Sequence, residues 1–292
     1  MINKINSKNL IIGTANFSSN YGLKHKNKAI NNKKKKNIIS FIKKKKINFF
    51  DTSQEYSDSE SFLGRQNIRN IKVITKIIFK KKKISEKYVE KLINKSLKNL
   101  KVKTLYALLF HNPKQLIGTK GKKIFSFLRK QKRIGKIKKI GVSLNSPDEI
   151  NIFYKKLPID IVQLPLNVFD QRLIHLGWLD KLRKKNIEIH VRSVFLQGLL
   201  LMKKSKISNY FKKFEQNLKE WNTWALKNKI NKIDACLNFV LNNKIDKIVV
   251  GIDEKKHLKK ILSFKKSVKD LNYSKLTCND LKLIYPKLWK VK

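Results

Sequence analysis

The sequence predicts one α/β domain over residues 1–292, folded as a single (β/α)8 TIM barrel. Eight short β-rich runs alternate with longer stretches that have helical spacing. Most of these runs are continuously apolar, which is typical of strands buried on both faces of a parallel sheet. No low-complexity linker and no shift in composition divides the chain. Alternating strands and helices over this length favour a barrel.

The predicted strands are LIIGT (10–14), NFFDT (48–52), KVITK (72–76), LYALLFH (105–111), KKIGVS (138–143), IDIVQL (159–164), IEIHVRS (187–193) and DKIVVG (246–251). Between them, residues 85–100 place apolar side chains along one helical face, with Ser85 as the N-cap. The main alternative is a doubly wound open sheet, which usually has a glycine-rich phosphate turn after its first strand. The segment GTANFSSNYG does not have that glycine spacing, so the barrel is favoured.

The formal net charge of +49 first suggests binding to nucleic acid or to an anionic membrane. The excess is almost all lysine, whereas readers of bases and phosphates favour arginine. It is also spread from end to end of the chain instead of forming one arm or stripe. We therefore expect a solvated, lysine-covered surface, with no specific nucleic acid and no membrane as partner. Specific polyanion binding stays open as an alternative.

Two cysteines, Cys236 and Cys278, give neither a disulfide framework nor the spacing of metal ligands. The apolar run before Gly13 is too short for the core of a signal peptide, and no segment approaches the length of a membrane span. We expect a cytoplasmic protein without a metal site. The oligomeric state is not predicted.

Polar residues lie at the ends of the predicted strands. In a barrel, the carboxyl ends of all strands converge on one mouth. In chain order they are Gly13 and Thr14, Asp51, Lys76, His111, Ser143, Gln163, Arg192 and Ser193, and Gly251. Each has an ordinary structural explanation when taken singly, such as a helix cap for Asp51. Together they predict a functional site at the mouth.

These residues resemble those of the aldo-keto reductase family, a set of nicotinamide-dependent barrel oxidoreductases. The resemblance rests on DTSQEYSDSE with Asp51 and Tyr56, VITK with Lys76, LLFH with His111, IGVS with Ser143, and VQLPLN with Gln163. It runs from Gly13 to about Leu262. The segments GTANFSSNYG and VRSVFLQGLL are most similar to the bacterial branch often linked to surface-sugar metabolism.

The resemblance implies reduction of an aldehyde or ketone, including sugar-like ones, by hydride transfer with Tyr56 as general acid. A free tyrosine has a pKa near 10, so a neighbouring Lys76 ammonium is expected to lower the pKa of Tyr56. Asp51 is expected to hold Lys76 by a charge-assisted hydrogen bond. His111 is expected to donate a hydrogen bond to the carbonyl oxygen of the substrate.

The resemblance also implies a coenzyme site. Ser143 and Gln163 would bind the nicotinamide carboxamide, and Arg192 stands where many relatives stack a tyrosine on that ring. The remaining coenzyme-binding candidates are Gly13 and Thr14, then Ser193, Gln197 and Gly198 near the pyrophosphate, and Gly251 and Asp253 near the adenosine phosphate.

NADP is the coenzyme that the family implies, and NAD stays open. Asp253 and Glu254 occupy positions where NADP-preferring relatives commonly have a small hydroxyl residue and an arginine. Two carboxylates would repel a 2′-phosphate, although Lys255, Lys256 and Lys259 could compensate.

Two further residues depart from the family pattern. Ser57 follows the tyrosine where most relatives have glycine, and Leu144 follows Ser143 where many have asparagine, with Asn145 one position later. A non-catalytic barrel that keeps the coenzyme site is a second alternative, although the complete set of Asp51, Tyr56, Lys76 and His111 argues against it. The substrate is not predicted; the aromatic candidates for its contacts, which are equally good core residues, are Phe17, Tyr21, Phe79, Trp178 and Phe195.

Overall fold

The computed structural model describes residues 5, 7–18, 30–68, 70–80, 84–267 and 270–291. Within these residues, eight parallel strands pair in sequential order and close into a barrel. The strands are β1 (Leu10–Gly13), β2 (Phe49–Asp51), β3 (Lys72–Ile77), β4 (Leu105–Phe110), β5 (Ile137–Ser143), β6 (Ile161–Pro165), β7 (Glu188–Arg192) and β8 (Lys247–Gly251). Every predicted strand is present, with ends within two residues of the prediction. The (β/α)8 barrel is confirmed.

Helices follow the strands and cover the outside of the barrel. They are α1 (Asn32–Lys44), α2 (Ser59–Gly64), α3 (Glu86–Leu100), α4 (Thr119–Arg133), α5 (Ile150–Tyr154), α6 (Arg172–His175), α7 (Trp178–Lys184), α8 (Glu215–Lys227), α9 (Lys232–Asn242), α10 (Lys255–Leu262) and α11 (Leu281–Ile284). The predicted cap of α3 is confirmed, because the Ser85 side chain accepts a hydrogen bond from the Tyr88 backbone N–H at 3.2 Å.

The helices are apolar towards the barrel and basic towards water. Helix α3 buries Val89, Ile93 and Leu100, while Lys87 and Lys91 are exposed. This pattern fits the expectation that lysine forms a solvated helical surface. None of the helices within the described residues has both the length and the hydrophobicity needed to cross a bilayer.

The interior of the barrel is layered along its axis. At the amino ends of the strands, Glu188 accepts hydrogen bonds from Lys139, from the Tyr106 hydroxyl at 2.9 Å and from His190 Nε2 at 2.8 Å. An apolar layer follows, formed by Ile11, Phe49, Ile74, Ala107, Leu109, Ile161 and Val249. The polar carboxyl ends of the strands lie on the other side of this layer, so an apolar core separates the mouth from the Glu188 cluster at the amino ends.

Candidate active site

The four predicted catalytic residues come together at the mouth. Asp51 ends β2, Lys76 lies near the end of β3, His111 directly follows β4, and Tyr56 lies in the loop between β2 and α2. Asp51, Tyr56 and His111 line one cavity of about 540 Å³. Lys76 is buried and does not line it, so it can act only through its neighbours.

A chain of buried hydrogen bonds fixes the lysine. Lys76 Nζ donates to Asp51 Oδ1 and, at 3.0 Å, to the Thr52 carbonyl oxygen. The other oxygen of Asp51 accepts from Gln163 Nε2 at 2.8 Å. Gln163 Oε1 in turn accepts from the Ser143 hydroxyl at 3.2 Å. The predicted Asp51–Lys76 contact is therefore present, and it is tied to two of the predicted coenzyme-binding side chains.

The phenol ring of Tyr56 lies near both the lysine and the histidine. Lys76 Nζ is 5.2 Å from the centroid of the Tyr56 ring, and the ring centroids of Tyr56 and His111 are 6.2 Å apart. A carbonyl oxygen in the cavity can therefore approach both the Tyr56 hydroxyl and the His111 ring.

The expectation that Lys76 lowers the pKa of Tyr56 is not met in the structure. Burial raises the pKa of Tyr56 above its ordinary value, the Asp51 carboxylate raises it further, and Arg192 lowers it. Burial of the phenol is the largest cause, and the charge of Lys76 is balanced by Asp51 within one buried ion pair. Tyr56 is consequently a neutral phenol around pH 7, which keeps its proton until an oxygen of high basicity forms next to it.

His111 is held in its neutral form. Burial lowers the pKa of His111 to about 3, and the positive charges of Lys76, Arg192 and Lys287 act in the same direction. A neutral imidazole can donate one hydrogen bond to a carbonyl oxygen without carrying a charge into the cavity.

Ser57, which departs from the family pattern, has a backbone conformation that favours glycine. Ser57 has a φ of 48°, in the left-handed region that glycine adopts without steric penalty. The turn that directs Tyr56 over the mouth therefore needs this conformation, and here serine adopts it under strain.

Most of the predicted coenzyme-binding residues line the same cavity. They are Gly13, Ser143, Gln163, Arg192, Ser193, Gln197, Gly198, Gly251 and Asp253. Thr14 does not, because it is fully buried and both its backbone N–H and its hydroxyl donate to the Asp51 carbonyl oxygen, at 2.9 and 3.2 Å. Thr14 thus joins the ends of β1 and β2 instead of facing the cavity.

The loop after β7 has an unusual backbone. Ser193, Leu196 and Gln197 all have positive φ values (59°, 45° and 51°), and Gly198 has a φ of 91°. Such strained conformations persist where the surrounding structure imposes them, often at ligand sites. Here they bring Gln197 and Gly198 to the cavity wall.

A family model described as the aldo/keto reductase family matches residues 9–274 of this chain. The chain belongs to the aldo/keto reductase family. Family membership supports an oxidoreductase that uses a nicotinamide coenzyme to reduce carbonyl groups of small molecules. No curated protein matches the chain in sequence.

Solved structures of the family share the fold. A glycerol dehydrogenase from Gluconobacter oxydans superimposes with a TM-score of 0.71 at 22% identity, covering 95% of this chain and 92% of that one. The holo form of an aldo-keto reductase from Bacillus halodurans gives a TM-score of 0.69 at 17% identity, covering 89% and 88%. At these identities the likeness shows the barrel and not the substrate.

The second departure from the family pattern is also accounted for in the structure. Leu144 is buried, and its carbonyl oxygen accepts from an Nη atom of Arg192 at 2.8 Å. Asn145 lines the cavity, and its Oδ1 accepts from the same Nη atom at 3.2 Å. The asparagine one position later therefore holds the guanidinium of Arg192 at the cavity wall.

Sequence analysis missed several residues of the cavity wall. Asn16 and His257 lie at the end near Asp253, and Tyr285 and Lys287 lie at the end near Arg192 and His111. The last two come from the chain beyond Leu262, where the sequence resemblance was taken to stop. The aromatic and proline residues of IYPKLW were the available signal that this segment packs against the barrel.

The aromatic candidates for substrate contact are mostly core residues. Phe17, Phe79 and Trp178 are buried in the hydrophobic core, whereas Phe195 lines the cavity. Tyr21 lies outside the described residues.

Proposed function

We propose that this protein reduces an aldehyde, a ketone or a sugar-like carbonyl, with Tyr56 as the proton donor. The observation that carries the proposal is that Tyr56 and His111 face one cavity, while the buried Asp51–Lys76 pair lies directly beside the phenol ring. The set supplies a proton donor and a neutral hydrogen-bond donor at one point, as carbonyl reduction requires.

Each side chain has a role that follows from its contacts. Asp51 fixes the Lys76 ammonium 5.2 Å from the Tyr56 ring centroid, so that the buried ion pair lies directly beside the phenol. His111, kept neutral, orients the carbonyl oxygen. The alkoxide that forms on the substrate is a strong base, so it accepts a proton even from a phenol whose pKa burial has raised.

The donor set of the cavity fits a nicotinamide dinucleotide, which supplies the hydride when bound. Ser143 and Gln163 offer a hydroxyl and an amide that match a carboxamide, and Arg192 offers a planar group beside them. The backbone of Ser193, Gln197 and Gly198 forms the adjoining wall, suited to a pyrophosphate. At the far end, Asn16 Oδ1 is buried without a hydrogen-bond partner among the described residues, which indicates a polar ligand there.

The sequence predicts NADP, but the far end of the cavity favours NAD. Asp253 lines this end, and its Oδ1 accepts from Asn16 Nδ2 at 2.6 Å. Neither Lys255 nor Lys256 lines the cavity: Lys255 Nζ is 5.1 Å from the Phe41 ring, and Lys256 Nζ is 2.7 Å from Glu254 Oε2. A carboxylate accepts from a ribose hydroxyl and repels a phosphate, so we propose that NADH binds more tightly than NADPH.

Coenzyme choice can be measured by titrating the protein with NADH and with NADPH and following coenzyme fluorescence. We expect Asp253→Asn to tighten NADPH binding about tenfold relative to NADH, because it removes one like charge. Glu254→Gln is the matched control, since Glu254 does not line the cavity. Tighter binding of NADPH by the parent protein would restore the NADP prediction.

The general acid is tested with Tyr56→Phe and a panel of small aldehydes, sugars and keto acids. Turnover should fall by about 10² to 10⁴, the usual contribution of a positioned acid, while the coenzyme Kd stays within about twofold. Tyr285→Phe removes the other tyrosine hydroxyl of the described cavity wall and should cost less than about tenfold. If Tyr56→Phe turns over carbonyls at the parent rate, the assigned acid is wrong. If the parent protein consumes no coenzyme with any carbonyl, the non-catalytic alternative holds.

A further inference from the structure

The C-terminal segment of the chain forms part of the cavity wall near His111. Tyr285, Pro286 and Lys287 line the cavity together with Tyr56 and His111. The segment is anchored on both sides of Lys287. Tyr210 donates its hydroxyl to the Lys282 carbonyl at 3.0 Å and to the Leu288 carbonyl at 3.3 Å, and Trp289 Nε1 donates to the Leu283 carbonyl at 3.1 Å. The backbone that carries Lys287 is therefore fixed against the barrel.

Charges at this end of the cavity do not cancel. The carboxylates that line it are both paired, Asp51 with Lys76 and Glu55 with Lys80, whose Nζ is 3.1 Å from Glu55 Oε1. Within the part of the chain that the structure describes, no carboxylate forms an ion pair with Arg192 or Lys287. Glu149 lies near Tyr285 but does not line the cavity. Neither of these two positive charges beside the neutral His111 is therefore neutralised by direct contact with a described carboxylate.

The two cations differ in what they can offer a ligand. The guanidinium of Arg192 already donates to the Leu144 carbonyl, to Asn145 Oδ1 and to the Ser193 hydroxyl, all neutral oxygens. It contributes charge but has few donors left for a bidentate contact. The Lys287 ammonium is on an exposed, flexible side chain at the rim of the cavity. It can turn towards a ligand held above His111.

We propose that the carbonyl substrate is an anion, with a carboxylate or a phosphate that Lys287 binds while its carbonyl group faces Tyr56 and His111. The inference rests on the proposed function and names its substrate class. Both cations lie close enough to His111 to lower its pKa, which is consistent with this placement. An oxyanion on the substrate supplies the negative charge that the catalytic end lacks.

The high net charge of the chain does not account for this arrangement. Most lysines project from the outer helices into water, where ions screen them. Lys287 is exposed too, but it borders the cavity, so its ammonium can contact a ligand bound there. Lys290, three residues later, is exposed and does not line the cavity, so it offers a matched comparison.

The test compares kcat/KM for matched neutral and anionic carbonyls. Glyceraldehyde and glyceraldehyde 3-phosphate form the phosphate arm, and butanal and succinic semialdehyde form the carboxylate arm. The parent protein should prefer the anion in at least one arm, and that arm identifies the group. Lys287→Gln should reduce the anion-to-neutral ratio about tenfold, as for loss of one charge-assisted hydrogen bond. Lys290→Gln should change the ratio less than about twofold, as expected for a screened surface charge.

The outcomes separate this inference from the proposed function. Equal kcat/KM values for neutral and anionic partners in both arms, or equal effects of Lys287→Gln and Lys290→Gln, overturn the inference and leave carbonyl reduction intact. Absence of turnover with every carbonyl overturns the proposed function. Binding can also be measured without turnover, by titrating malonate and malonamide into the protein–NADH complex. Only malonate should bind, and Lys287→Gln should weaken its binding. Equal binding of malonate by Lys287→Gln and by the parent also contradicts the inference.

Discussion

Gln163 and Asp51 lie on strands β6 and β2, four strands apart around the barrel, yet Gln163 Nε2 donates to Asp51 Oδ2 at 2.8 Å. The hydrogen bond crosses the mouth and joins the predicted coenzyme side of the site to the predicted catalytic side. Both side chains are buried at the cavity wall, so little water reaches this hydrogen bond.

Removal of this bond should destabilise the protein. Gln163→Leu leaves Asp51 Oδ2 buried without a donor, and we expect the free energy of unfolding to fall by about 1–3 kcal/mol. Urea denaturation of the coenzyme-free protein measures it. Ser143→Ala is the control, because it removes only the 3.2 Å bond to Gln163 Oε1. A Gln163→Leu protein as stable as the Ser143→Ala protein would show that the cross-mouth bond contributes little.

The ion pair between Asp51 and Lys76 should be strongly coupled. Lys76→Met leaves a buried carboxylate without its cation and should destabilise the protein by about 3–5 kcal/mol. Asp51→Leu combined with Lys76→Met should cost less than the sum of the single changes, by at least about 2 kcal/mol. A double-mutant cycle from urea denaturation measures this coupling. The partly exposed pair of Lys136 and Glu90, 3.6 Å apart, is the control and should show less than about 1 kcal/mol. Additive effects at Asp51 and Lys76 would contradict the prediction.

Replacing Ser57 should relieve backbone strain. Because its φ is 48°, Ser57→Gly should raise the free energy of unfolding by up to about 1 kcal/mol. Ser61→Gly is the matched control within α2, where glycine should lower stability by about 0.5–1 kcal/mol. Thermal or urea unfolding of both variants would show opposite signs. Two losses of similar size would mean that Ser57 makes a favourable contact that outweighs its strain.

The stability of the protein should depend on pH through His111. Its pKa is about 3 in the folded state, below the ordinary value of about 6.5, so the unfolded chain binds one more proton between these values. The stabilisation is fully present above pH 6.5 and is lost as the pH falls towards 3, at roughly 1 kcal/mol per pH unit. Urea denaturation between pH 8 and pH 4 should therefore give a shallower acid loss for His111→Gln than for the parent. Parallel curves would mean that His111 is charged in the folded protein.

The barrel could be predicted from the sequence because a buried strand leaves a local pattern of apolar residues. Runs such as KVITK and DKIVVG are apolar throughout, and that pattern has few explanations other than a strand covered on both faces. The same reasoning found Asp51, Lys76 and His111, because each polar residue interrupts or ends an apolar run. Their convergence then followed from the rule that all strand ends of a barrel meet at one mouth.

The charges that surround Tyr56 could not be predicted from local sequence patterns. The pKa of Tyr56 depends on its burial, on Asp51 and on Arg192, and the last of these is 136 positions away in the sequence. A local reading found the ammonium of Lys76 but not the balance of charges around it. Thr14 gives a second example, because only the fold shows that its donors are both used by Asp51.

The amino-acid sequence by itself determined the order of strands and helices, the polar strand ends and the family of this protein. Tertiary structure decided which side chains contact one another at the mouth. It decided which carboxylates are paired with lysine, that Thr14 binds the Asp51 backbone and does not line the cavity, and that Lys287 from the C-terminal segment lies at the catalytic end. The physical reason is the separation along the chain over which each kind of interaction acts. Hydrophobic periodicity acts between neighbours along the chain, whereas electrostatic and hydrogen-bond partners are set by closure of the barrel, which brings distant segments within a few ångströms.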